Sequence, residues 1–95
     1  MTLSEENYLK KVYNLQKHYK KGVPTNAIAE EMETKASSVS DMIKRLAEKE
    51  LLFYKKYQGA KLSVTGEKHA VKVVRKHRLW ETFLVEKLNF SWDFL

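Results

Sequence analysis

His77 and Glu81 stand four residues apart, so on a helix they are neighbours on one face. Ala70, Val74, Leu84 and Leu88 continue the same row, which makes the His and the Glu interruptions of an apolar stripe. Two chemistries suit such a pair. An imidazole and a carboxylate can ligate a divalent first-row metal, or they can form an ion pair at the edge of a core. One helix supplies only two ligands, so a metal site would need further donors from elsewhere. No Ser/His/Asp or Cys/His nucleophilic set accompanies the pair. Cysteine is absent, and His18 and His69 sit among lysines as surface residues.

A second constellation surrounds Lys35. Lys35, Ser37, Ser38, Ser40, Asp41 and Lys44 form the polar face of a segment whose apolar residues are Val39, Met42, Ile43 and Leu46. Hydroxyls can reach phosphates or base edges and lysines neutralise phosphates. Asp41 could accept from a cytosine amino group or pair locally with Lys44 or Arg45. Serines at a helix start are also common as caps. Lys55, Lys56 and Tyr57 follow, two cations and an aromatic ring suited to a DNA backbone or minor groove.

The elements that would carry these residues can be read in order. Thr2-Leu3-Ser4-Glu5 has the spacing of a capping box. Tyr8, Leu9, Val12, Tyr13 and Leu15 then recur at helical spacing. The first helix is expected to lose its pattern through His18-Tyr19-Lys20-Lys21 and to stop at Gly22. Thr25 is the expected N-cap of a short second helix that buries Ile28, Ala29 and Met32. A turn at Glu33-Thr34-Lys35 leads into the third helix. Leu52-Phe53-Tyr54 and Ala60-Lys61-Leu62 suit two strands, with Lys55 to Gly59 as the hairpin between them. Ser63 is expected to cap a last helix from about Val64 to Leu88, whose apolar positions include Ala70, Val73, Val74, Trp80, Phe83, Leu84 and Leu88. The expectation is a mainly α winged helix-turn-helix with three helices, a two-stranded wing and a long fourth helix. Residues 1–63 would be the DNA-binding domain. Residues 64–95 would be a linking helix and the start of a truncated second domain, because Phe90, Trp92, Phe94 and Leu95 are too apolar for a free tail.

Composition narrows the functional classes. Ninety-five residues suffice for one small domain, and Lys and Arg outnumber Asp and Glu by 18 to 12 for a net charge of +6. That balance suits a polyanionic partner. The lack of cysteine removes disulfides and thiolate metal sites. No apolar run is long enough for a membrane span, and the acidic N-terminus is unlike a signal peptide, so the expected location is the cytoplasm. No acid/base or nucleophile pair suggests an enzyme.

Several segments together resemble the diphtheria-toxin-repressor family of iron- and manganese-dependent bacterial repressors. They are Glu5-Glu6-Asn7-Tyr8-Leu9-Lys10 with Val12-Tyr13, Ile28-Ala29-Glu30, Ser37-Ser38-Val39-Ser40 and Leu46-Ala47-Glu48-Lys49. Arg75-Lys76-His77-Arg78-Leu79 with Glu81 and Phe83-Leu84 is the most specific of them. The resemblance runs in order through essentially the whole chain. It implies a homodimer on palindromic operator DNA of metal-uptake genes, and a second helical domain that carries dimer contacts and further ligands beyond Leu95. It implies Mn or Fe as the activating metal, with Zn or Co able to substitute in vitro. His77 and Glu81 match metal ligands of the family, and Asn7 falls where a first-helix ligand is found. Lys35, Ser37, Ser38 and Asp41 fall on positions that approach DNA. Two residues depart from the family pattern. Asn7 stands where relatives carry Asp or Met, and Glu50 replaces a usual Gly, which is expected to alter the turn after the third helix. The competing readings are a winged-helix regulator of another family that answers to a small organic ligand, and a winged helix used for protein contacts.

Overall fold

The computed structural model describes residues 1–87, and the order of elements is helix, helix, helix, hairpin, helix. Helix α1 spans Leu3–Leu15, α2 Thr25–Met32 and α3 Ala36–Glu48. Strands β1 (Leu52–Lys55) and β2 (Gly59–Leu62) pair antiparallel, with Leu52 opposite Leu62 and Phe53 opposite Lys61. Helix α4 follows from Val64 to Lys87. The expected continuation to Leu88 and the tail Asn89 to Leu95 lie outside the described residues. Among those described, no helix is long and apolar enough to cross a membrane.

Helices α1 to α3 turn their apolar stripes inward, as the spacing predicts. Leu9 and Val12 of α1, Ile28 of α2, and Val39, Ile43 and Leu46 of α3 meet Leu52, Ala60 and Leu62 of the hairpin in one buried cluster. Ala70 closes this core from α4. Farther along α4, Val73 and Leu84 are buried, whereas Trp80 and Phe83 are exposed and stack on each other with centroids 5.4 Å apart. Those two rings depart from the expected apolar stripe.

The start of α1 follows the sequence closely. Glu5 N–H donates to Thr2 Oγ1 at 3.1 Å, and Thr2 N–H donates to Glu5 Oε1 at 2.9 Å, which completes the capping box. Its end does not. The helix stops at Leu15, well before the expected Gly22, and the following chain makes other contacts. Gln16 accepts from Leu62 N–H and donates to Glu67, and Val23 exchanges two backbone hydrogen bonds of 2.8 Å with Ala60. The segment before α2 thus adds a short bridge to the open edge of β2. Gly59 makes that approach possible. Its φ of +94° suits glycine, and a Cβ there would stand 2.3 Å from the Val23 carbonyl oxygen.

One further expectation is corrected. Thr25 is the first residue of α2 rather than its cap, and Pro24 takes the N-cap position without a side-chain bond. Glu50 forms the turn after α3. It adopts the left-handed conformation itself, at φ +59°. Leu51 N–H then bonds back to the Leu46 carbonyl and Glu50 N–H to that of Ala47, a Schellman closure of α3. Helix α2 ends in the same way on Glu33, at φ +53°, with Thr34 N–H bonded to the Ala29 carbonyl. Ser63 caps α4 as expected. Its hydroxyl accepts from Gly66 N–H at 3.0 Å and donates to the Glu50 carbonyl at 2.8 Å.

Candidate functional site

The turn between α2 and α3 sets the exposure of the Lys35–Lys44 constellation. Once Glu33 reverses the chain, only Thr34 and Lys35 separate the helices. Burial of Val39, Met42, Ile43 and Leu46 then forces the opposite face of α3 outward. Lys35, Ser37, Ser38, Ser40, Asp41 and Lys44 are all exposed. Ser37, Ser40, Asp41 and Lys44 follow i, i+3, i+4, i+7 spacing and form one stripe.

The serines are not caps. The N-cap is Lys35, which makes no side-chain bond to the helix. Among the described residues, the first-turn N–H groups of α3 therefore lack a side-chain acceptor, and a helix start of this kind favours an anionic oxygen. Asp41 makes no ion pair with Lys44 or Arg45 among the described residues.

The wing places Lys55, Lys56 and Tyr57 at its tip, all exposed, with Tyr57 94% accessible. Tyr57 takes a left-handed turn position at φ +69°, and Lys56 Nζ lies 5.4 Å from its ring centroid. Lys21, Phe53 and Lys61 gather with Lys55 around one cleft beside the hairpin. The sequence did not associate Lys21 with the wing, because it arrives through the Val23–Ala60 bridge.

The His77 and Glu81 pair lies where α1 packs along α4. Asn7, His77 and Glu81 are half-buried. Lys76 donates to both carboxylate oxygens of Glu6, at 2.9 and 3.1 Å, and so clamps α4 to the first turns of α1. His77 Nδ1 meets Lys10 Nζ at 3.1 Å, so its hydrogen-bond partner is a lysine of α1 rather than Glu81. Burial holds the imidazole below its ordinary pKa, and the charges of Lys10 and Lys76 add to this against Glu6 and Glu81. This favours the neutral ring, the form that ligates metals. Lys10 was not singled out by sequence, because its spacing from His77 exists only after α1 docks on α4.

In kind, an imidazole, a carboxylate and a carboxamide oxygen fit a divalent first-row metal. No group of three or more His, Cys, Asp or Glu gathers among the described residues, so these donors would form part of a coordination sphere.

Comparison with known proteins decides the family. Residues 1–60 match the family described as iron dependent repressor, N-terminal DNA binding domain, and residues 63–95 match iron dependent repressor, metal binding and dimerisation domain. The chain belongs to the iron-dependent repressor family. Among its relatives are a diphtheria toxin repressor of Corynebacterium jeikeium, 34% identical over 93% of this chain, and an HTH-type transcriptional regulator MntR of Oceanobacillus iheyensis, 38% identical over 87%. The chain spans 36% of the length of the first and 56% of the second. The solved structure of the manganese regulator SloR superposes with a TM-score of 0.81 at 38% identity, over 98% of this chain and 43% of that one. A manganese-dependent transcriptional repressor in complex with manganese gives 0.80 at 36% identity, over 94% and 40%. The fold is the winged helix-turn-helix of this iron-dependent repressor family, a family of transcriptional regulators.

Proposed function

We propose that the protein is a metal-dependent transcriptional repressor, not an enzyme, that binds palindromic operator DNA of metal-uptake genes as a cytoplasmic homodimer. The observation that carries this reading is the outward stripe of α3. A helix start without a side-chain cap, flanked by Lys35 and Lys44 and lined with Ser37, Ser38, Ser40 and Asp41, has the form of a reading helix. Lys55, Lys56 and Tyr57 on the wing would follow the adjacent backbone or minor groove. Residues 1–63 form the DNA-binding domain in this reading.

Residues 64–95 would be the linking helix and the start of the dimerisation and metal-binding domain. Leu79, Trp80 and Phe83, exposed along the later part of α4, are the surface that such a domain would cover. His77 and Glu81, with Asn7 across on α1, would ligate part of a Mn or Fe site, and Zn or Co would occupy it in vitro. Support comes from their half-buried placement and from the matched family domain. The bound metal would supply fixed positive charge that draws donors from two helices and the second domain together.

The test is fluorescence anisotropy of labelled operator DNA with the full-length protein, with and without Mn(II) or Fe(II). Tight, sequence-selective binding only in the presence of metal is the expected result. Equal binding after chelation, restored selectivity on adding a small organic effector, or no DNA binding at all would each overturn it.

A further inference from the structure

Lys10 brings an ammonium group to the one histidine that the proposed function assigns to metal. Its Nζ lies 3.1 Å from His77 Nδ1. An ammonium has donors and no lone pair, so Nδ1 is the acceptor and the neutral ring keeps its proton on Nε2. A neutral imidazole offers a single nitrogen lone pair, and in this arrangement Lys10 occupies it.

Among the described residues, Lys10 Nζ bonds to His77 alone. Glu6, one turn earlier on α1, is the natural i, i+4 partner for Lys10. Both oxygens of Glu6 are already taken by Lys76. The groups that face His77 are therefore Lys10 and Glu6 from α1, with Lys76 and Glu81 from its own helix.

We propose that Lys10 is an internal cation that competes with metal for His77, so that the ring becomes a ligand only when the lysine leaves it. The inference rests on the reading of His77 as a ligand. It holds for either ring nitrogen. If Nδ1 is the ligating atom, Lys10 must vacate it directly. If Nε2 ligates, its proton must pass to Nδ1, which then becomes an N–H and can no longer accept from Lys10. Lys10 thus lowers apparent metal affinity and raises the metal concentration at which the protein responds. It is a positioning residue, acting through His77 and contacting no substrate.

The test uses full-length Lys10→Leu, which retains an apolar stem without a charge or a donor atom. Lys10→Ala serves as a second variant in case the leucine disturbs packing. Calorimetric titration with Mn(II) is expected to give three- to tenfold tighter binding, about the worth of one lost hydrogen bond. Imidazole 15N shifts of the metal-free protein provide a readout independent of binding. They should report the Nε2–H tautomer of His77 in the wild type and a mixture of tautomers in Lys10→Leu. Unchanged Mn(II) affinity in both Lys10 variants, with binding lost in His77→Ala, would overturn the competition and leave the ligand reading standing. Wild-type Mn(II) binding by His77→Ala would overturn the ligand reading and the competition together. An equal gain in Lys76→Leu, with the tautomer unmoved in Lys10→Leu, would assign the effect to general charge and likewise overturn the proposal.

Discussion

The buried carboxylate of Glu5 holds the ammonium of Lys49, and this pair fastens the first turn of α1 to the end of the helix that faces DNA in the proposed function. Glu5 is 1% exposed. It also accepts the N–H of Thr2 and, through its own N–H, completes the capping box. One residue therefore joins the start of α1 to the orientation of α3.

Hydrogen bonding by Lys49 first, and by Thr2 next, holds the Glu5 carboxyl down to about 2 against the opposing effect of burial. A carboxylate depressed in the folded state stabilises the fold above its unfolded pKa, and that contribution is lost as pH falls. Stability should decline from about pH 4.5 towards 2. Glu5→Gln should cost about 1–2 kcal/mol at neutral pH, kept modest because Lys49 is half in water, and should flatten the acid limb. Urea melts of both proteins between pH 2 and 7 check this, and an equally steep acid limb in Glu5→Gln would count against it.

Lys44→Ala and Lys56→Ala should weaken binding to any DNA sequence. Each lost phosphate contact should reduce the log–log salt slope by about 0.9. Ser37→Ala or Asp41→Ala should instead change which operator is preferred, at about 1–3 kcal/mol for a true base contact. Salt titrations on matched and scrambled operators separate the two kinds of residue. An unchanged slope in both lysine variants would place them away from the backbone.

Gly66→Ala should destabilise the domain although alanine is the better helix former. A Cβ at Gly66 would stand 1.8 Å from the Leu51 carbonyl oxygen, a backbone atom that cannot rotate away. Overpacking of this kind costs about 1–3 kcal/mol, and the upper end is expected here. A thermal midpoint equal to that of the wild type would refute the close approach of α4 to the chain before β1.

Glu50→Gly should stabilise the protein, or at worst leave it unchanged. Glu50 holds φ +59°, a conformation that costs a side-chain-bearing residue roughly 1 kcal/mol and glycine little. The greater freedom of glycine in the unfolded chain offsets part of the gain. Denaturant midpoints decide it, and a loss above about 1 kcal/mol would mean that the Glu50 side chain has a partner of its own.

His77→Ala in the full-length protein should abolish metal-stimulated operator binding while the fold persists. In the metal-free wild type, NMR titration of His77 should give a midpoint below about 6.5, because burial and the neighbouring Lys10 and Lys76 disfavour the imidazolium. A folded pKa depressed in this way makes stability fall as pH drops below about 6.5. A His77→Ala protein that still responds to metal at wild-type concentrations would leave the residue a structural role only.

Local signals determined the order of elements and the faces of the helices. The capping box at Thr2, the spacing of Val39, Ile43 and Leu46, and Ser63 before α4 each act over one or two turns, so their physics is complete within a short segment. The exposure of Ser37, Ser40, Asp41 and Lys44 follows from the same periodicity, because burying one side of α3 turns the other outward. Tertiary structure decided the path after α1, where two backbone bonds tie Val23 to Ala60. It also decided that Lys49 reaches Glu5 and that Lys10, not Glu81, meets His77. Those contacts join residues 44 and 67 positions apart, and only the docking of one helix on another brings such groups within hydrogen-bond reach.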